Sequence, residues 1–184
     1  MKPEPPFVLL EDRLDRSAPA RLYTRPVNII RCDDPDQVEP AFARLETGLH
    51  SGLHAAGFLA YELGHVLEPR LRPQLPAVRS DPLIWMGLLE APRLLTAEVV
   101  DAMFAGLPPQ PLTQVHPAHD REIHVAKVQR VLELIHAGDI YQANLTFPIR
   151  FRYGGVPLSL YAALRSRQPT AHGAVVAMGD EWIL

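Results

Sequence analysis

With 184 residues, 47% hydrophobic and 21% charged, the chain is long enough to bury a core and has the composition of an ordinary globular protein. Its net charge is -3, and its 18 Lys and Arg residues are scattered among 21 Asp and Glu, so no basic face for nucleic acid is expected. Cys32 is the single cysteine, which excludes an intramolecular disulfide and a multi-cysteine zinc site and fits a reducing cytoplasm.

No apolar signal region follows Met1-Lys2-Pro3-Glu4-Pro5-Pro6, and no apolar run reaches the ~18 residues of a membrane span. The chain is therefore expected to be soluble, cytoplasmic and free of membrane partners. Short apolar runs at Phe7 to Glu11 and Val27 to Cys32, bounded by Pro, Asp and Arg, predict strands, with Cys32 a small residue at the end of the second. A helix follows: Asp34 is placed as N-cap, Pro35 at the first helical position and Gln37 in a capping-box arrangement. Val38, Phe42, Leu45 and Leu49 then form one apolar stripe. His50 and His54, on its tail, have the four-residue spacing of two metal ligands, but no third ligand accompanies them.

Gly57 to Leu63 and Leu83 to Leu89 predict two more strands, joined by the proline-rich stretch Pro69 to Pro82, where several of the 19 prolines gather. Leu107-Pro108-Pro109-Gln110-Pro111 predicts a linker, dividing the chain into 1–110 and 111–184. Asp120 to His136 predicts a second long helix, with Val125, Val128, Leu132 and Ile135 on one face and Gly138 as a left-handed cap. Asp120 and Glu122 suit the positive end of that helix, and His116 with His119 lacks a third ligand, so no metal site is expected among these residues. Pro157 to Arg167 has helical character, and Ala174 to Leu184 predicts a hairpin whose return strand, ending on Trp182-Ile183-Leu184, has barely begun. The fold class expected is α/β (α+β): mixed, largely antiparallel sheets with packed helices.

Between the second long helix and the end of the chain lies the stretch that speaks of chemistry, Gly138-Asp139-Ile140-Tyr141-Gln142-Ala143-Asn144-Leu145-Thr146. Read as a strand, it alternates Ile140, Gln142, Asn144 and Thr146 on one face with Tyr141, Ala143, Leu145 and Phe147 on the other. The polar face is either a solvent-facing edge or the lining of a cavity for a small acid; the residues alone weigh the two equally.

This stretch resembles the signature of the chorismate-utilising enzymes that consume ammonia, the family of anthranilate synthase component I and aminodeoxychorismate synthase component I. Its wording is most similar to the aminodeoxychorismate branch; the anthranilate branch usually follows the glutamine with Val-Val-Pro-Ser. Gly57-Phe58-Leu59-Ala60-Tyr61-Glu62-Leu63-Gly64 resembles the family's N-terminal signature. Leu9-Leu10-Glu11-Asp12, Tyr23-Thr24-Arg25-Pro26, Pro82 to Gly87 and Pro157 to Tyr161 fall in the family's order. The resemblance implies the N-terminal part of the component I fold, with 1–110 an N-terminal subdomain and 111–184 the start of a chorismate-binding domain.

It further implies chorismate as substrate, ammonia from a glutamine amidotransferase subunit as partner, and magnesium as cofactor. The magnesium glutamates and the lysine nucleophile would lie beyond residue 184, so that these residues alone are expected to be inactive. Gln142 takes the place where water-using relatives carry lysine. Water needs a general base, whereas ammonia is already nucleophilic and needs only to be held by a neutral amide. Asn144 and Thr146 would line the substrate pocket. Leu10, Glu11 and Asp12 match the Leu-Leu-Glu-Ser element with which tryptophan-regulated relatives grip their effector, and His172, in Gln168-Pro169-Thr170-Ala171-His172, matches the Asn-Pro-Ser-Pro-Tyr element of the same pocket. Asp12 replaces the serine, and the second element also departs from the relatives' wording. Glu62 is expected to anchor strand packing or a buried hydrogen bond. The alternative of another class is a non-catalytic module that binds an aromatic ligand or a partner subunit.

Overall fold

The computed structural model describes residues 2–184. In chain order the elements are β1 (Phe7–Glu11), β2 (Ala20–Thr24), β3 (Asn28–Cys32), α1 (Val38–His50), β4 (His54–Leu59), α2 (Leu63–Leu67), β5 (Ile84–Leu89), β6 (Arg93–Leu95), α3 (Ala97–Phe104), β7 (Leu112–Pro117), α4 (Arg121–Ala137), β8 (Ile149–Tyr153), α5 (Pro157–Arg167), β9 (Gly173–Ala177) and β10 (Trp182–Ile183). They form an α+β fold in which every strand pair is antiparallel. Among the described residues, no helix is long and apolar enough to cross a membrane.

Two compact units emerge: one runs through Leu107 and takes in Tyr161–Leu184, and the other is Pro108–Leu160. In the first unit a five-stranded sheet has the order β10-β9-β1-β2-β6, and a three-stranded sheet the order β3-β5-β4. β1 lies centrally, paired on one side with β2 and on the other with β9. Its run Phe7-Val8-Leu9 is buried on both faces, which is why the strand reads as continuous apolar sequence rather than alternation. Trp182 packs edge-on against Phe7, with ring centroids 5.6 Å apart. Val8, Tyr23 and Val176 of the larger sheet share a core cluster with Ala56, Trp85 and Leu89 of the smaller, so the two sheets face each other across apolar side chains.

α1 covers the smaller sheet. Asp34 caps a single 3-10 turn over Pro35–Gln37 by accepting from the Asp36 N–H, so the capping-box role expected of Gln37 is not realised. The buried line is Val38, Ala41, Leu45 and Gly48, while Leu49 is exposed. The expected stripe is thus rotated toward the small residues, which allow α1 close to Leu88.

Three further expectations change. The Gly57-to-Leu63 run is not one strand: β4 spans His54–Leu59, and the chain then turns as the Leu63 N–H bonds to the Ala60 carbonyl at 3.1 Å and Gly64 N–H to Tyr61 at 3.1 Å, starting α2. Glu62 stands at the N-cap of α2 without a side-chain cap bond, and so anchors no strand. The 140–147 stretch is not a strand either. β8 begins only at Ile149 and pairs with β7, whose ladder ends at Pro117 opposite Ile149, so the preceding residues have no strand partner. In the second unit α4 forms as expected, with Asp120 Oδ1 accepting from the Ile123 N–H at 2.9 Å and Gly138 at φ 79°. None of its residues is buried, including Val125, Val128, Leu132 and Ile135.

Candidate functional site

Gly138 ends α4 in the left-handed conformation, where a residue without Cβ is unstrained. The Gly138 N–H donates to Ile135 and the Asp139 N–H to Leu134, at 3.1 and 3.0 Å, which satisfies carbonyls of the last turn. The chain then runs irregularly to Pro148. Gln142, Asn144 and Thr146 sit on this segment with exposed side chains, and Tyr141 is 92% exposed. The two-faced alternation expected of a strand does not exist here, so the three polar side chains share a segment rather than a face.

In the first unit, the structure brings Leu10, Glu11, Asp12 and His172 together around one cavity of about 420 Å³, which Arg21 and Gly173 also line. The pairing of β1 with β9 does this by setting Leu10 opposite Ala174 and Glu11 opposite Gly173. Gly173 is small for a reason: a Cβ there would meet Tyr161 Oη at 2.9 Å and Glu11 Cγ at 3.4 Å. The Asp12 carboxylate accepts from the Leu14 and Asp15 N–H groups at 2.8 and 2.9 Å, closing the turn after β1.

Glu11 is the charged centre of this wall. It is buried, and its Oε1 accepts from Tyr161 Oη at 2.7 Å and from Arg165 Nε at 2.7 Å, while Oε2 accepts from Arg165 Nη2 at 2.6 Å. Arg165 also donates through Nη1 to Asp101 Oδ1 at 2.9 Å, and Arg13 and Arg16 donate to the two oxygens of the same carboxylate at 3.0 and 2.9 Å. The Arg165 guanidinium lies over the Phe104 ring, 4.9 Å from its centroid. Burial works against the Arg165 charge, but hydrogen bonds to Glu11 and Asp101 outweigh it and raise its pKa above the ordinary value. Burial likewise opposes ionisation of Asp101, yet the bonds from Arg16 and Arg165 hold its carboxyl below the usual range. Burial, and then the bond to the Glu11 carboxylate, push the Tyr161 phenol well above its ordinary pKa.

The sequence gives no signal that Tyr161 and Arg165 are the partners of Glu11. They stand one helical turn apart on α5, a spacing that puts both on one face. Nothing local links that face to a carboxylate about 150 positions away. Among the described residues no group of three or more His, Cys, Asp or Glu side chains is placed to hold a metal ion.

A comparison with curated proteins and one with solved structures each return no match. A family model described as chorismate binding enzyme matches residues 5–184, nearly the whole chain, and the chain therefore belongs to the chorismate binding enzyme family.

Proposed function

We propose that the chain is the N-terminal part of an aminodeoxychorismate synthase component I, which aminates chorismate to 4-amino-4-deoxychorismate for 4-aminobenzoate and folate synthesis. Ammonia would come from a glutamine amidotransferase subunit. The observation that carries this reading is the Tyr141-Gln142-Ala143-Asn144-Leu145-Thr146 wording within a chain of the chorismate binding family. Gln142 would hold ammonia as a neutral donor and acceptor, and Asn144 and Thr146 would hydrogen-bond the substrate's hydroxyl and carboxylate groups. Their exposure leaves all three side chains open to a ligand.

Magnesium, in this reading, would be bound by glutamates outside these 184 residues. The 184 residues alone are expected to leave chorismate unchanged when mixed with ammonium and magnesium. Anthranilate synthase component I is the neighbouring alternative. Product chromatography of a full-length version supplied with chorismate, ammonium and magnesium separates the two: 4-amino-4-deoxychorismate is expected, and anthranilate as the sole product overturns the assignment.

A second reading is favoured by one observation, the shared cavity of Leu10, Glu11, Asp12 and His172. Its lining includes Asp12 and Arg21, residues of opposite charge suited to the two ends of an amino acid, beside the apolar Leu10. In this reading the first unit is a non-catalytic module for an aromatic amino-acid effector. Isothermal titration of the 184-residue chain with tryptophan is expected to give heat that Asp12→Ala and Arg21→Ala each reduce; no binding of tryptophan removes the reading.

A further inference from the structure

In the second unit, the residues that lead into α4 and those that follow the Gln142 segment meet at an aromatic cluster. His119 Nε2 and His124 Nδ1 are 3.5 Å apart, the rings are tilted by only 16°, and their centroids are 5.7 Å apart. The centroid separation exceeds the nitrogen separation by about one ring width, so the two nitrogens point at each other edge to edge. Phe147 closes over both, its centroid 4.8 Å from His119 and 5.3 Å from His124. Next to it, the Ala118 N–H donates to the Pro148 carbonyl at 2.9 Å. Asp120 fixes the backbone between the two histidines through its cap bond to the Ile123 N–H.

Two facing imidazole nitrogens tolerate zero or one extra proton, because one N–H then points at one lone pair. Two imidazolium rings present donor to donor and charge to charge. We propose that His119, His124 and Phe147 form an acid-released clasp that holds the end of the Gln142-to-Thr146 segment against the start of α4, closed near neutral pH and opened by acid.

The net influence of the surroundings is to lower the His119 pKa. Burial lowers the pKa of His119, Lys127 and His124 lower it further, and Asp120 alone raises it. Phe147 and Pro148, from the segment on the other side, bring no charge. Since the closed form has the lower pKa, the open form takes up protons first. Closure is fully favoured above the ordinary histidine pKa of about 6.5 and weakens as pH falls toward the closed-form value. The clasp does not depend on what Gln142 does chemically.

NMR of the 184-residue chain between about pH 5 and 8 tests it through proton and backbone readouts. His119 should titrate below its ordinary value. Contacts between the Phe147 ring and both imidazoles should fade with that titration, and the exchange protection of the Ala118 amide should fall, by roughly tenfold for each unit separating the open and closed pKa values. His124→Phe keeps an aromatic face for Phe147 but removes the facing nitrogen. Its His119 should titrate closer to the ordinary value, and its Ala118 protection, corrected for the intrinsic pH dependence of exchange, should no longer change with pH. If His124→Phe fails to fold by circular dichroism, Phe147→Leu replaces it, with low and pH-independent Ala118 protection expected. Corrected protection that is flat with pH in the unaltered chain, or a pH response that survives in the folded variant, overturns the clasp.

Discussion

Arg165 on α5 grips Glu11 on β1 through two hydrogen bonds of 2.7 and 2.6 Å, with 7% and 4% of the two side chains exposed. A pair so far from water is costly to break from one side, because the remaining charge stays buried without its partner. Arg165→Met is therefore expected to destabilise the chain by about 3–5 kcal/mol in urea unfolding. The double variant Glu11→Leu with Arg165→Met removes both charges and is expected to recover a large part of that loss. A double variant no more stable than the single one would mean that the energy resides in packing rather than in the pairing.

Tyr161 and Asp101 give this network opposite pH limits. The phenol is favoured in its neutral form in the folded chain, so its contribution is complete below the ordinary tyrosine pKa of about 10 and is lost as pH rises toward the folded value. Of the five tyrosines, Tyr161 is expected to ionise last in an absorbance titration, and Tyr161→Phe should remove that late step. Asp101 acts in the other direction. Its carboxyl is held low, so its contribution is present above about pH 4 and is lost as pH falls through the folded value. Asp101→Asn should flatten the acid limb of a plot of melting temperature against pH.

Gly57, within the Gly57-to-Gly64 signature, is fixed by packing. An added Cβ would run into the Trp85 carbonyl oxygen and approach Met86 Cα to 2.9 Å, and both are backbone atoms of β5 that cannot rotate away. Gly57→Ala is expected to cost about 1–3 kcal/mol, the usual range for forcing bulk into a packed site. Gly64→Ala, with open space around it, should change stability far less. Thermal melts of the two variants side by side check this; equal melting temperatures would refute the steric account.

Features that depend on near neighbours were legible in the sequence. The α4 caps at Asp120 and Gly138, the short apolar strands β1, β3 and β5, and the hairpin of β9 with β10 all follow from side chains a few positions apart. What escaped depends on distant partners. β9 inserts beside β1, more than 160 residues earlier in the chain, and this register, invisible in either strand alone, brings His172 near Asp12. Gln142 to Thr146 has the composition of a strand but finds no ladder partner among its neighbours, so local pattern overstated its order. α2 hid within an apolar run whose turn is made by backbone bonds at Ala60 and Tyr61.

Gln142 offers the most direct test of the proposed chemistry in a full-length version of the enzyme. Its side chain is exposed on an irregular segment, so Gln142→Leu removes no buried contact and should leave stability within about 0.5 kcal/mol. If its amide holds the incoming ammonia, the same substitution removes a positioned donor and acceptor, and amination should fall on the order of 10²-fold. Gln142→Lys approaches the question from the other side. A lysine whose pKa is depressed at the site acts as a base for water, so some chorismate should be diverted to a hydroxylated product. Chromatography of the products, with circular dichroism to verify folding, reads both variants. Unchanged amination in Gln142→Leu would take the residue out of the reaction and leave the segment with a structural role alone.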